Sequence, residues 1–450
     1  MVTYNQRVNQ PPSRIPVPPI YRGEPQLRGP DSPDYDNLLA CVKCALCLSV
    51  CPTYATDAME IQSPRGRVQL MRAADEGAFP LTNTVADHMY HCLDCRACQT
   101  VCPSHVLVGE QVLLTRALIE QGRPQHWLKR FVLERVMTSP ELLETLMWPA
   151  RIYQWLGIQR VMRSTGLVKL LPEALQSMER LLPPLPSAPL RLTLPEVTPA
   201  VGEQTYRVGF FLGCVMSLVF AKTSEKTVRV LAENGCEVVL PKALRCCGAP
   251  HAGEGDFGTL KQLARHNVAL FMSYDLDYIV ADCAACSAQT KEYGELLADD
   301  PVYGERARAF ADKVRDITEL LVEIPLREPL AELQAKVTYH DACHLCHAQG
   351  VSKQPRAVLN AIPGVDLVEM REASWCCGSA GVYNLTHRER SDKILDRKMD
   401  NVEATGAEFV AAANPGCLLQ LMAGARERGL DVKVVHPVDL LAEAYEADRK

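Results

Sequence analysis

Two runs of four cysteines constrain this chain more than any other feature of its sequence. Each run has the spacing C-x2-C-x2-C-x3-C followed by proline, which is typical of [4Fe–4S] clusters in which the fourth cysteine binds the cluster of the other run. The sequence therefore predicts two clusters with crossed ligation. The first cluster is expected on Cys41, Cys44, Cys47 and Cys102, and the second on Cys92, Cys95, Cys98 and Cys51.

The composition favours metal binding over a disulfide scaffold. The 450 residues include 19 cysteines, an odd number, and the N-terminal segment lacks the apolar core of a secretory signal. Zinc usually takes two C-x2-C pairs and would leave each full run unexplained. A net charge of −6 gives no indication of a nucleic-acid partner, and the longest apolar stretch, 208–221, is too short to span a membrane. We therefore expect a cytoplasmic protein.

Proline-rich stretches divide the chain into six predicted segments. The insert between the two cysteine runs is predicted to be helical after Pro64, which favours an all-helical ferredoxin domain. The proline-rich arm is expected either to cover a partner or to be a disordered tail. The segments are the arm at 1–30, a helical ferredoxin-like domain for two [4Fe–4S] clusters at 31–110, a helical layer at 111–182, a proline-rich linker at 183–205, and cysteine-rich domains at 206–325 and 330–450.

The helical layer is basic and amphipathic in its central part. Residues 145–172 contain no acidic side chain, while arginine and lysine alternate with large apolar residues such as Trp155. Such a helix fits an anionic membrane face or a partner protein. The alternative is a layer packed on its own core. Peripheral contact with the inner face of the cell membrane therefore stays open at this point, as does docking of a partner.

The C-terminal half contains an internal repeat. In each copy a predicted strand, 206–212 or 337–340, leads to a cysteine, and a Cys-Cys-Gly follows 32 or 33 residues later. Further strands are predicted at 278–281 and 409–413. Alternation of short apolar strands with helices is typical of α/β domains with parallel sheets. The fold class is therefore multidomain α/β, with two repeated cysteine-rich lobes and a site at their junction.

Each copy of the repeat gathers cysteines near strand ends, where α/β folds bind ligands. Adjacent cysteines form strained disulfides, so thiolates converging on a metal are the better interpretation. Five thiols suit an iron–sulfur cluster better than tetrahedral zinc. The candidate ligands are Cys214, Cys246, Cys247, Cys283 and Cys286 in the first copy, and Cys343, Cys376, Cys377 and Cys417 in the second.

Several residues near these cysteines have open roles. The second copy has Asn414 where the first has Cys283, so a cluster, zinc or no metal all stay open there. His340 and His344 are expected to be outer-shell donors, proton relays or structural residues. Cys236 and Cys346 are predicted to be ordinary buried side chains.

No nucleotide-binding fingerprint is present in the sequence. A G-x-G-x-x-G motif after a strand is absent, and no flavin site is evident. One-electron carriers without a two-electron centre need a partner that oxidises the organic substrate. We therefore expect the chain to act together with another subunit.

The motifs resemble those of the iron–sulfur subunit of bacterial glycolate oxidase. The resemblance spans roughly residues 35 to 445 and extends to lactate-utilisation and heterodisulfide reductase subunits. The shared features are the two cysteine runs and the two Cys-Cys-Gly copies. Motifs more particular to the glycolate subunit are SPRGR at 63–67, HCLDCRAC at 91–98, KEYG at 291–294, HAQ at 347–349, CCGSAGVY at 376–383 and LTH at 385–387.

The resemblance implies an electron-transfer role within a complex. An FAD-binding 2-hydroxy-acid dehydrogenase subunit would oxidise glycolate to glyoxylate, and electrons would leave through this chain toward a quinone or another acceptor. It also implies that the eight N-terminal cysteines are cluster ligands. Cysteine-rich domains of the heterodisulfide reductase relatives hold noncubane clusters, which suggests a further iron–sulfur cluster in the first copy. Chemistry at that copy, as in those relatives or in lactate utilisation, is the alternative function.

Overall fold

The computed structural model describes residues 27, 29, 31–122, 127–327 and 331–448. The predicted N-terminal arm lies outside the described residues, apart from Leu27 and Gly29. The Leu27 amide donates to the Asp75 carboxylate at 2.7 Å. From residue 31 onward the chain forms a helical region, a helical layer and two α/β lobes. We call the lobes the first repeat and the second repeat.

The N-terminal region carries both cysteine runs and, in its described part, contains only helices and turns. Pro52 and Pro64 stand at the first positions of helices, where a missing N–H costs nothing. Ser63 caps the second of these by accepting from the Gly66 amide at 2.9 Å. The helix predicted after Pro64 is present. The helices are α1 Tyr35–Leu39, α2 Pro52–Asp57, α3 Pro64–Asp75, α4 Asn83–Tyr90, α5 Ala97–Thr100 and α6 Val108–Gln121.

The helical layer that follows is built of short helices separated by glycine and proline. Gly157 and Gly166 adopt left-handed backbone with φ of 71° and 73°, which ends one helix and starts the next. A π-helical turn spans Val132–Val136. Large apolar side chains stay exposed: Trp155 is 83% exposed and Leu170 is 80% exposed. The helices are α7 Trp127–Phe131, α8 Pro140–Leu146, α9 Trp148–Trp155, α10 Ile158–Thr165 and α11 Glu173–Leu181.

The stretch predicted as a linker has regular structure of its own. It contains α12 Leu190–Thr193 and a short strand, β1 Val197–Thr198. Strand β1 pairs antiparallel with the first sheet, through Val197 opposite Val239. Sequence patterns indicated only proline-rich chain here, because a two-residue strand has no periodicity to detect.

The first repeat is a five-stranded sheet in the order β1-β3-β2-β4-β5, and all pairs other than β1–β3 are parallel. Helices connect the consecutive strands from β2 to β5, as parallel pairing requires. Its strands are β2 Tyr206–Phe210, β3 Cys236–Val239, β4 Tyr278–Ala281 and β5 Val314–Asp316. Its helices are α13 Cys214–Val219, α14 Ala221–Glu233, α15 Ala249–Gly253, α16 Phe257–Phe271, α17 Ala284–Lys291, α18 Tyr293–Leu296, α19 Gly304–Lys313 and α20 Ile317–Glu323.

The second repeat has the same topology in a four-stranded parallel sheet. Its order is β7-β6-β8-β9, which matches β3-β2-β4-β5 of the first repeat. Its strands are β6 Ala335–Tyr339, β7 Val365–Val368, β8 Phe409–Ala411 and β9 Lys433–Val435. Its helices are α21 Cys343–Cys346, α22 Lys353–Asn360, α23 Tyr383–Thr386, α24 Arg388–Glu403, α25 Pro415–Arg428 and α26 Pro437–Ala447.

The two repeats share one hydrophobic core and are fixed to each other. Buried residues of both sheets, such as Val208 and Val337, belong to the same apolar cluster. Helix α14 packs against α26, and Arg229 pairs with Glu446 at 2.6 Å across that contact. The lobes therefore form a single packed body, with the carboxyl ends of their central strands near the junction.

Within the described residues, no helix is both long and apolar enough to cross a lipid bilayer.

Candidate metal centres

The eight N-terminal cysteines line two adjoining cavities. Cys41, Cys44, Cys47 and Cys102 line the first cavity. Cys51, Cys92, Cys95 and Cys98 line the second cavity. These are the two sets that crossed ligation predicts, with Cys98 also bordering the first cavity. The ligation itself stays a prediction, but each set of four thiols has the donor chemistry that a [4Fe–4S] cluster needs.

Backbone strain accompanies both cysteine runs. Non-glycine residues with left-handed backbone flank the second cysteine of each run: Lys43 and Ala45 around Cys44, and Asp94 and Arg96 around Cys95, with φ between 47° and 71°. Each such residue costs on the order of 1–2 kcal/mol. The same strained turn in both runs curls the chain around a cavity, so the strain lies where a cluster would be held.

The second cavity is buried beside a fixed positive charge. Arg67 is 1% exposed and donates to the Thr53 hydroxyl, the Gln62 side chain and the His88 carbonyl. Burial raises the pKa of Cys98 well above its usual value, while Arg67 acts in the opposite direction. Bound iron would hold these thiols as thiolates, as metal ions do for coordinating cysteines.

In the first repeat, five thiols form one continuous cluster. Cys214 follows β2 and Cys283 follows β4, the two central strands, at the switch point of the strand order. Neighbouring thiols are close enough to shift one another's pKa in the pairs Cys214–Cys246, Cys246–Cys247, Cys247–Cys286 and Cys286–Cys283. Hydrogen bonds from Cys246 and Cys286 lower the pKa of Cys247 to about 6. The predicted ligand set of the first repeat is therefore brought together.

The adjacent Cys246 and Cys247 are held by a left-handed glycine and buried polar groups. Gly248 has φ of 87°, and its amide donates to the Cys246 sulfur at 3.4 Å. The Tyr293 hydroxyl donates to the Cys247 carbonyl at 2.7 Å. Five sulfur donors exceed the four ligands of tetrahedral zinc, which favours iron–sulfur chemistry here.

The second repeat brings four thiols together with a histidine. Neighbouring thiols are close enough to shift one another's pKa in the pairs Cys343–Cys376, Cys376–Cys377 and Cys377–Cys417. Donor atoms of His340, Cys377 and Cys417 lie within 4.8 Å of one another. Burial and the nearby Lys398 ammonium hold the pKa of His340 well below its usual value, so the imidazole is neutral at pH 7.

Asn414 joins the two repeat sites. Its side-chain oxygen accepts from the Ala285 amide at 3.2 Å and from the Cys283 thiol at 3.8 Å. Its side-chain nitrogen donates to the Cys417 sulfur at 3.6 Å. The residue that replaces a cysteine in the second repeat therefore forms a hydrogen-bonded link between the first-repeat and second-repeat thiols.

The second cavity touches the second-repeat site. The Cys95 thiol lies near Cys376 and Cys343, whose charges raise its pKa after the larger effect of burial. His344 lies between the Cys343 sulfur, 3.5 Å from Nδ1, and the Asp94 carboxylate, 3.6 Å from Nε2. Despite burial, that thiol and Asp94 together raise the pKa of His344 to about 10. The histidine thus contacts both sites.

Residues other than the cysteines complete these sites, and sequence patterns missed most of them. Asp94 lies inside a cysteine run, and Arg67 lies in the SPRGR motif, yet neither has a spacing that indicates its contacts. Cys236 lies buried in β3, as predicted for an ordinary side chain. Cys346 is only partly buried, because it ends the short helix α21, and its thiol contacts the Cys343 carbonyl at 3.9 Å.

Three family models match the chain in the order of its structural parts. A 4Fe-4S dicluster domain matches residues 37–106. The linker region of the glycolate oxidase iron–sulfur subunit matches 124–182, which is mostly the helical layer. A cysteine-rich domain matches twice, at 208–291 and 337–422. The predicted fold class, a two-cluster domain followed by two repeated α/β domains, agrees with these matches.

Similar proteins match over nearly the whole chain. A probable glycolate oxidase iron–sulfur subunit of Bacillus subtilis (strain 168) is 40% identical over 425 residues, covering 91% of this chain and 95% of the relative. The glycolate oxidase iron–sulfur subunit of Escherichia coli (strain K12) is 30% identical, covering 92% and 96%. Lactate utilization protein A of Halalkalibacterium halodurans is 31% identical over 52% of this chain and 96% of the relative. The chain therefore belongs to the family of glycolate oxidase iron–sulfur subunits.

Proposed function

We propose that this chain is the electron-transfer subunit of a complex that oxidises glycolate to glyoxylate. An FAD-binding partner subunit removes the electrons from glycolate, and this chain conducts them one at a time toward a quinone. The names of the two relatives that match more than nine-tenths of the chain support the substrate class. The chain offers thiol sites and no nucleotide-binding fingerprint, which supports the division of labour.

The observation that carries this proposal is a row of four cysteine sites in contact. Asn414 links the first-repeat thiol Cys283 to the second-repeat thiol Cys417. Cys95 of the second cavity lies beside Cys343 and Cys376 of the second repeat. Cys98 borders both N-terminal cavities. Such a row supports a conduction path from the first repeat to the first cavity.

One end of this row reaches the protein surface. Cys44 is exposed, and its neighbours Val42 and Leu46 are 60% and 53% exposed. An exposed edge of the first cavity would allow electron exchange with another protein. The eight cysteines that line the two cavities would hold two [4Fe–4S] clusters, and the first repeat would hold a further iron–sulfur cluster.

The experiment separates substrate oxidation from electron conduction. The complex is purified with its flavoprotein, and glycolate-dependent reduction of a quinone is compared with reduction of an artificial dye that takes electrons at the flavin. Cys95→Ser should abolish quinone reduction and leave dye reduction intact. Cys236→Ser, which changes a buried thiol outside the sites, should leave both activities intact. Glycolate oxidation by the isolated chain without flavoprotein would refute the proposal.

A groove beside the first-repeat thiols favours a second candidate function. The groove is lined by Cys214, Cys246, apolar side chains such as Leu143 and Leu218, and the Glu144–Arg191 ion pair. In this second candidate function, a quinone or a disulfide substrate reacts at this edge of the first repeat. The lactate-utilisation relatives support lactate as an alternative electron donor for the complex. Bulky substitution of Leu218 to Trp would then block acceptor reduction without loss of iron.

A further inference from the structure

His340 is a fully buried side chain of the second repeat that lies close to its thiols. It is fully buried, and neither Nδ1 nor Nε2 makes a hydrogen bond of regular geometry. An unpaired buried polar group is costly, and native structures seldom keep one without a reason. One of its ring nitrogens lies within 4.8 Å of the sulfurs of Cys377 and Cys417. The unpaired nitrogen therefore faces the second-repeat thiols.

The repeat itself gives an internal comparison. His340 stands three residues before Cys343, and Phe211 stands three residues before Cys214. Both occupy the same backbone position, because the amide of each donates to the neighbouring central strand, His340 to Ala411 at 2.9 Å and Phe211 to Val280 at 2.7 Å.

The two repeats differ at this position and also at the position of the missing cysteine. Where the first repeat has Phe211 and Cys283, the second repeat has His340 and Asn414. Asn414 contributes its nitrogen to Cys417 and its oxygen to the first repeat, so its amide is already engaged. The second repeat has thus lost one sulfur donor and gained one nitrogen donor, and both repeats keep five donors.

We propose that His340 is a ligand of an iron–sulfur centre in the second repeat, in place of the missing thiol. The ligand set is His340 with Cys343, Cys376, Cys377 and Cys417. A ligating histidine commonly directs its other ring nitrogen to a backbone carbonyl, and the Ala373 carbonyl lies beside this ring. Five donors again exceed the four of a closed zinc site. The ligation by His340 does not depend on the proposed electron-transfer role; only its consequence for electron flow rests on that proposed function.

The consequence concerns the direction of electron flow. A neutral imidazole in place of a thiolate reduces the negative charge of a cluster, and histidine ligation raises cluster potentials in Rieske centres. The buried Lys398 ammonium acts in the same direction, since it donates at 3.0 Å to the Ala373 carbonyl, which lies beside the His340 ring. An electron in the first repeat would therefore pass favourably to the second repeat.

The test detects histidine nitrogen at a paramagnetic centre of the full-length protein. Protein labelled with 15N only in histidine is compared with unlabelled protein by pulsed electron paramagnetic resonance in oxidised and reduced states. We expect a nitrogen coupling that changes with the label. Three variants accompany it: His340→Phe, which copies the first repeat, His340→Cys, which restores a thiol, and His251→Gln, an equally buried histidine whose Nε2 is paired with the Leu133 carbonyl.

The expected pattern is specific to ligation. His340→Phe should lose the iron of one cluster per chain together with the nitrogen coupling, whereas His251→Gln should keep both. His340→Cys should keep the iron, lose the histidine nitrogen coupling and lower the reduction potential of that centre. If His340→Phe fails to fold, His340→Cys alone tests whether His340 is a ligand. The proposal is overturned if wild-type protein lacks the coupling, if His340→Cys retains it, or if the second repeat holds zinc. None of these readouts depends on glycolate oxidation.

Discussion

Arg116 connects the second cysteine run to the first repeat, and its removal should loosen the second cavity. The side chain is 5% exposed. Its guanidinium donates to the carbonyls of Met89 at 2.7 Å, Cys92 at 2.6 Å and Gly253 at 2.7 Å. Arg116→Met retains the aliphatic stem and removes all three donors. The carbonyl of Cys92, a predicted cluster ligand, would then be left without this partner.

The size of the effect follows from the number of bonds. A hydrogen bond to a charged group contributes roughly 1.5–3 kcal/mol. Arg116 makes four such bonds to the three carbonyls, since its Nε also donates to Met89 at 3.2 Å. Bonds in one network are not additive, so we take about 3 kcal/mol as the lower expectation. Since about 1.4 kcal/mol corresponds to a factor of ten, local opening of this region should become roughly 100-fold more frequent.

The assay is the rate at which an iron chelator bleaches the iron–sulfur absorption of the complex. When opening is fast and reversible, this rate follows the population of the open state. Arg116→Met should therefore bleach about 100-fold faster than wild type. Arg130→Met is the matched control, because the Arg130 side chain is 65% exposed and pairs with Glu134 in an i,i+4 contact at the surface. Equal bleaching of the two variants would show that the reasoning about Arg116 is wrong.

Three further predictions concern stability and docking. Gly378→Ala should destabilise the second repeat by about 2–4 kcal/mol in denaturant titrations, because φ is 87° and the added Cβ would lie 2.7 Å from the Ser391 carbonyl oxygen. The control is Gly350→Ala, where φ is 71° but the added Cβ meets open space, so the free energy of unfolding should fall by only about 1–2 kcal/mol. Burial raises the pKa of Asp316 to about 7, so the folded state retains a proton that the unfolded state releases near pH 4. Wild-type stability should therefore fall relative to Asp316→Asn, which keeps the helix cap, as pH rises from about 4 to about 7, and parallel denaturation midpoints would contradict this. Trp155→Asp should leave the melting temperature unchanged, since the side chain is 83% exposed. The variant should bind the flavoprotein more weakly in a pull-down assay. Unchanged flavoprotein binding together with lost binding to anionic vesicles would assign this face to the membrane instead.

Sequence patterns predicted the strands that lie between two neighbours but not where all of them end. The strand expected at 278–281 is present as Tyr278–Ala281. The strands expected to reach residues 212, 340 and 413 end at Phe210, Tyr339 and Ala411. The extra residues are buried and, apart from His340, apolar, so their composition continues the strand pattern, while the backbone leaves the sheet to bring Cys214, Cys343 and Cys417 to the sites.

The candidate sites could be predicted as sets of cysteines, because spacing within a run is a local property. Contacts between distant segments could not be predicted in this way. The position of Asn414 was recognised as a missing thiol, but its link to Cys283 depends on the packing of two sheets. His340 likewise has an ordinary sequence context, and only burial without a partner distinguishes it from a structural histidine.

The interleaving of the two cysteine runs in the N-terminal cavities has a consequence for how the protein matures. The wall of each cavity takes three cysteines from one run and one or two from the other, so neither cavity is complete until residues 41 to 102 have folded together. Metal binding that depends on a folded site is coupled to folding. Binding of the two clusters should therefore be cooperative. A chain that has bound one cluster has already folded the site for the other, so chains that hold a single cluster should be rare.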